Sequence, residues 1–189
     1  MTRQTPQPLT RLRTVTALWS IEEYTDRIRR GEMLLDPPYQ RGPRWSTGQR
    51  VDLMRSWLQG APIPALVLNE RLSDAWHRTD PQTQVNYAVV DGRQRLETAL
   101  AWQDGLLAIP ASWLPADQIH TVEDTDDGAY VRVTGLHAPR RVTRLMDLPC
   151  VRARVDTTAA EAALYLLVNG AGTPQSITDL ARAADIAAT

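Results

Sequence analysis

Residues 91–95 read Asp-Gly-Arg-Gln-Arg. Five positions thus supply a carboxylate, a glycine, an amide and two guanidiniums. They follow Tyr87-Ala88-Val89-Val90, an apolar run of the kind that forms a buried strand, and they open a helical pattern over residues 93–104 that Gly105 stops. At such a turn the first helical N–H groups lack intrahelical partners and the helix dipole favours negative charge. Guanidiniums add planar, forked donors that match phosphate. The spacing predicts a phosphate cradle made of Gly92, Arg93, Gln94 and Arg95, with Asp91 beside it. The competing reading is a surface helix start with solvated arginines.

A second cluster, Tyr39-Gln40-Arg41, follows Pro37-Pro38, and Trp45 comes four residues later. Prolines restrict the chain before folding, so side chains on such a turn lose little entropy when held. Arg41 offers a fork for phosphate or carboxylate, and Gln40 offers an amide for a base edge or a water. Tyr39 or Trp45 can stack on a base. The alternative makes Tyr39 and Trp45 core residues and pairs Arg41 with Asp91 as a structural salt bridge.

The surrounding pattern alternates strands and helices. Ser20 with Glu23, Ser46 with Gln49, and Thr158 with Glu161 each spell a capping box ahead of an apolar stripe. The first predicted helix ends at Gly31, the second near Gly60, and the third runs over residues 158–168. Strands are predicted at residues 33–35, 65–68, 87–91 and 150–155. Residues 70–86 read as a polar loop, and residues 110–140 as an irregular lobe or insertion with a hairpin near residues 130–133. A last helix is expected over residues 176–186. The expected class is α/β or α+β, a small mixed sheet flanked by helices with a helical C-terminal part. Residues 1–17 read as a flexible arm and residues 18–189 as one domain.

Composition narrows the chemistry. The chain has 189 residues, a formal net charge of −1 and a pI near 6.3. All 21 basic residues are Arg, which removes the lysine that a Walker-type phosphate loop or a Schiff base needs. The single cysteine and three scattered histidines (His77, His120, His137) give no metal-ligand spacing. Near-neutral charge means that DNA binding requires a local patch; Arg140, Arg141, Arg144, Arg152 and Arg154 are the candidates, against scattered solvated charge. No apolar run is long enough for a membrane helix and no signal core is visible, so a cytoplasmic location is expected.

Five motifs occur in a specific order: residues 37–41, Trp45, Ser46 with Gln49, residues 60–64 (Gly-Ala-Pro-Ile-Pro), and residues 91–95. In this order the chain resembles the ParB-like N-terminal domain of GmrSD-type modification-dependent restriction proteins, over roughly residues 18–182. The resemblance implies a ParB/sulfiredoxin-like fold in which both arginine motifs face one cleft and bind a nucleoside triphosphate, with Mg²⁺ accompanying the phosphates. By that likeness Gln94 and Arg95 hold phosphate, Gly92 permits close backbone approach, and Asp91 positions metal or water. Tyr39, Gln40 and Arg41 complete the cleft, while Arg93 falls at a variable position. Family members couple nucleotide binding or hydrolysis to restriction of foreign DNA through a C-terminal nuclease domain with a His-Asn-His motif. That motif is not found in this sequence, so a separate nuclease partner is expected. Non-catalytic DNA binding and metal-dependent DNA cutting in the same cleft are the alternatives.

Overall fold

Serine caps and β-branched runs set out the elements of the chain, whose computed structural model describes residues 8–40, 45–79, 85–170, 185–186 and 188. In chain order they are β1 (Thr14–Ser20), α1 (Ile21–Arg29), β2 (Met33–Leu34), α2 (Thr47–Leu58), β3 (Leu66–Glu70), α3 (Asp74–Thr79), β4 (Tyr87–Asp91), α4 (Arg93–Gln103), β5 (Ala108–Pro110), β6 (Glu123–Thr125), β7 (Gly128–Arg132), α5 (Pro139–Thr143), β8 (Asp147–Ala153) and α6 (Thr158–Gly170). Strands β1-β8-β3-β4-β2 form a five-stranded sheet, and β5-β7-β6 form a second sheet of three. Within the larger sheet β1 and β8 are antiparallel, β8 and β3 parallel, β3 and β4 antiparallel, and β4 and β2 parallel. The mixed sheet flanked by helices is the class that the sequence pattern predicts.

Strand alternation divides the interior into two layers. Leu66, Leu68, Tyr87, Val89, Leu148 and Cys150 face one way and pack with Tyr24, Met54, Trp57, Leu96 and Trp102 of α1, α2 and α4. Val90 and Ala153 face the other way and pack with Ala162, Leu164 and Tyr165 of α6. Burying apolar area on this scale is the main stabilising term, at roughly 25 cal/mol per Å² removed from water.

Local signals and structure agree at the first two helix starts. The Ser20 hydroxyl accepts from the Glu23 amide at 3.2 Å. Ser46 and Gln49 form a reciprocal capping box, with the Gln49 side chain accepting from the Ser46 amide at 2.9 Å. At the third start the pattern misleads. Thr157, not Thr158, caps α6 by accepting from the Ala160 amide at 3.1 Å. Glu161 is 0% exposed and turns inward to Arg71.

Three further expectations are corrected. Residues 14–17, read as part of an arm, are the first half of β1, because Thr14, Val15 and Thr16 are β-branched and pair with β8. Within residues 70–86, Ser73 accepts from the Trp76 amide at 3.0 Å and starts α3, whose Trp76 is buried. Residues 110–140 hold most of the ordered three-stranded sheet, and its Val131 is buried in the main core beside Ile109 of β5, with Val133 and Leu136 following. The hairpin turns at residues 125–128, where Gly128 has φ +116°. Of the helix expected over residues 176–186, only Asp185 and Ile186 lie among the described residues.

Candidate functional site

The end of β4 is irregular. Val67 pairs with Asp91 but Leu68 pairs with Val89, so β4 carries one extra residue, Val90, at a bulge. A bulge frees backbone groups from the ladder, and here a side chain meets them. Gln40 Nε2 donates to the Val89 carbonyl and, at 3.0 Å, to the Val90 carbonyl. The amide of Gln40 therefore braces the strand end that delivers Asp91.

Gly92 is the residue before α4 and has φ +100°. A Cβ there would stand 2.1 Å from Leu66 Cδ2 and 3.1 Å from Arg95 Nη2. The left-handed backbone favours glycine, and the buried Leu66 side chain leaves little room for a Cβ. The chain then enters α4 with its amino end toward a cleft lined by Gln40, Trp45, Asp91, Gln94, Tyr165 and Asn169, together with Arg93 and Arg95. The cleft has a volume of about 160 Å³.

Charge in the cleft is organised as pairs. Arg95 Nη2 donates to Asp91 Oδ2 at 2.7 Å, while Nη1 donates to the carbonyls of Pro64 and, at 3.2 Å, Ala65. Arg93 donates to Glu97 Oε1 at 2.7 Å and to Asp36 Oδ1. Burial opposes the charge on Arg93, but the Glu97 and Asp36 carboxylates outweigh it and raise its pKa, so the guanidinium stays ionised. Gln94 Oε1 accepts from the Trp45 amide at 3.1 Å, fixing the start of the segment that leads into α2.

The structure thus brings Gln40, Asp91, Gly92, Arg93, Gln94 and Arg95 to one place. Arg41 lies outside the described residues. Tyr39 departs from expectation: it is 1% exposed, does not line the cleft, and cannot stack on a base there. Its ring lies 5.6 Å from that of Tyr165, and its hydroxyl donates to Glu161 Oε2 at 3.3 Å. Burial first, and then the Glu161 carboxylate, push the Tyr39 hydroxyl well above the ordinary tyrosine range. The two residues part at a hydrogen-bonded turn, where the Gln40 amide donates to the Pro37 carbonyl at 2.9 Å: Tyr39 packs toward α6 and Gln40 takes the cleft side.

Trp45, for which both stacking and core packing were open, does both: it packs partly against the core and borders the cleft. Two lining residues from α6 were not assigned to the site from sequence. They are Tyr165 and Asn169, with Asn169 Nδ2 donating to the Tyr165 carbonyl at 3.0 Å. Their spacing of four on one helix face was the available signal. The histidines, read as isolated, are not all so: the rings of His120 and His137 are 5.1 Å apart on the small-sheet lobe. No group of three or more His, Cys, Asp or Glu suited to a metal occurs among the described residues. Of the arginine candidates for a patch, Arg152 and Arg154 pair with Glu70 at 3.9 and 3.1 Å, while Arg140, Arg141 and Arg144 are exposed on or next to α5. Among the described residues no helix is long and apolar enough to cross a membrane.

Comparison with known protein families gives a match. The family model described as GmrSD restriction endonuclease, N-terminal domain, matches residues 21–149. That span includes Gln40, the bulge and the start of α4; it ends before α6, which supplies the Tyr165 and Asn169 wall. Comparisons with curated proteins and with solved structures returned no match. With more than half of its length matched, the chain belongs to the N-terminal domain family of GmrSD restriction endonucleases.

Proposed function

We propose that this domain is ParB-like, binds a nucleoside triphosphate in the cleft at the start of α4, and hydrolyses it in the service of DNA restriction. The observation that carries this reading is the convergence of Gly92, Gln94 and Arg95 at a helix amino end with Gln40, Trp45, Tyr165 and Asn169 around them. Backbone N–H groups of the first α4 turn would meet phosphate oxygens, as helix starts do generally. Gln94 and the guanidiniums add side-chain donors. Gly92 lets the ligand approach the backbone closely. Trp45, half-buried among the lining residues, suits a base.

Catalysis in this scheme is positioning plus charge neutralisation, since phosphoryl transfer needs little covalent help from the protein. Asp91 is the only carboxylate among the described lining residues, and Arg95 already holds one of its oxygens. That donor set suits a Mg²⁺ that travels on the phosphates and takes one protein oxygen, and it does not suit a resident ion. Asp91 or Gln94 would orient the attacking water. Gln40, whose amide nitrogen braces β4, would act by holding the site in shape.

Titration of ATP, GTP and CTP into wild type and Arg95→Ala tests the reading. Binding by wild type with a loss of about 1.5–3 kcal/mol in the variant supports it. Equal binding by both proteins, or none by either, removes it.

A DNA-contacting role without turnover has one observation in its favour, the exposed Arg140, Arg141 and Arg144 on and beside α5. A mobility shift that weakens steeply with salt, and weakens further in the triple alanine variant, would favour that reading. A separate nuclease partner would supply the cutting chemistry.

A further inference from the structure

We infer that Arg71 and Glu161 are positioning residues for the cleft, their buried ion pair setting where α6 presents Tyr165 and Asn169. The inference rests on the nucleotide reading of that cleft. Glu161, Tyr165 and Asn169 are four residues apart in succession and share one face of α6. The first of them is anchored and the other two line the site.

The anchor is specific. Arg71 reaches Glu161 with two parallel bonds, Nε to Oε1 at 2.8 Å and Nη2 to Oε2 at 2.6 Å. Asn69 Nδ2 donates to Oε1 at 2.7 Å, and the Tyr39 hydroxyl donates to Oε2 at 3.3 Å. One carboxylate therefore ties α6 to β3, to the residue after β3, and to the turn that carries Gln40. Arg71 is itself held, its guanidinium lying 4.3 Å from the Trp76 ring centroid. Asn69 extends the clamp toward α6 by donating to the Val155 carbonyl at 3.0 Å and accepting from the Val155 amide at 2.9 Å.

Stability alone does not call for such a group. A buried ion pair can often be replaced by packed apolar residues with no loss of stability, whereas removing one partner strands a charge. What the pair supplies, and an apolar pair would not, is a fixed register between α6, β3 and the Tyr39-Gln40 turn. Of these, α6 and the Gln40 turn line the cleft, and β3 pairs with β4, whose end brings Asp91 to it.

The test compares wild type with the double variant Arg71→Met/Glu161→Leu in the full chain. Three readouts are taken: thermal unfolding, deuterium exchange, and the affinity of tripolyphosphate and ATP. The expected double variant unfolds within a few degrees of wild type. Its exchange rises at Tyr39, Gln40 and residues 162–169 but not in α1 or α2, and its ATP affinity falls about tenfold. Wild-type exchange and affinity in the double variant overturn the inference. A double variant that does not fold also overturns it, because the pair is then a requirement for folding and not a device of position. If wild type binds neither ligand, the nucleotide reading fails, and with it the claim that a binding cleft is being positioned. The exchange data would still report separately whether the pair fixes α6.

Discussion

Arg95 and Asp91 face each other across the first turn of α4, with Nη2 2.7 Å from Oδ2 and the Arg95 side chain 11% exposed. Arg95 is held at the same time by the carbonyls of Pro64 and Ala65, in the segment that enters β3. The guanidinium is thus fixed before any ligand arrives. A fixed, partly exposed cation loses little entropy on meeting an anion, and it keeps the Asp91 carboxylate from opposing that anion.

Geometry of this kind is specific to arginine. Lysine keeps the charge but cannot bridge one carboxylate and two carbonyls from a planar fork. Arg95→Lys is expected to lose about 1–2 kcal/mol of folding stability and at least about tenfold in triphosphate affinity. Urea unfolding and calorimetric titration measure the two effects. A variant matching wild type in both would show that the fork has no role.

Substitution at Gly92 should act through the backbone. Gly92→Ala places a β-carbon on a residue with φ +100° and against Leu66. Left-handed strain and overpacking together predict a loss of roughly 2–4 kcal/mol in denaturant unfolding. A loss below about 0.5 kcal/mol would mean that the joint between β4 and α4 is looser than its contacts imply.

Tyr39 makes the protein sensitive to alkali. Its folded pKa is raised above the ordinary value, by burial and then by Glu161. The neutral form is favoured on folding, so this contribution is complete below about pH 10 and is lost as pH rises beyond it. Tyr39→Phe should unfold more easily than wild type at pH 7, by about 1 kcal/mol for the lost hydrogen bond to Glu161. Its stability should then fall less steeply between pH 10 and 12. Parallel pH profiles for the two proteins would contradict the assignment.

Trp45 is placed to report on the cleft, since its backbone amide is held by Gln94 and its side chain borders the cavity. Nucleotide should quench tryptophan emission in wild type and leave Trp45→Phe unchanged, whereas tripolyphosphate should quench little in either protein. Equal quenching in both proteins would place the base elsewhere.

What could be read from the sequence depended on the range of the interaction. The joint at residues 91–95 was legible because an apolar strand, a glycine and a helix start are local features. Gln40 was legible as a site residue but its partner was not, because the Val90 bulge arises from pairing between β3 and β4 and leaves no mark in composition. Glu161 was misread because Thr-x-x-Glu is the same pattern whether the carboxylate caps a helix or pairs with Arg71, which lies 90 residues earlier in the chain. The strands around residues 110–140 were obscured by their length, two of them having three residues each and so too few for a period-two pattern to stand out.

The central claim concerns one place in the molecule, and a crystal of the protein soaked with a non-hydrolysable nucleoside triphosphate tests it most directly. The account predicts phosphate density against the first turn of α4, within hydrogen-bond reach of Gln94, with the base beside Trp45 or Tyr165. Nucleotide bound at another surface while this cleft holds only solvent would contradict it.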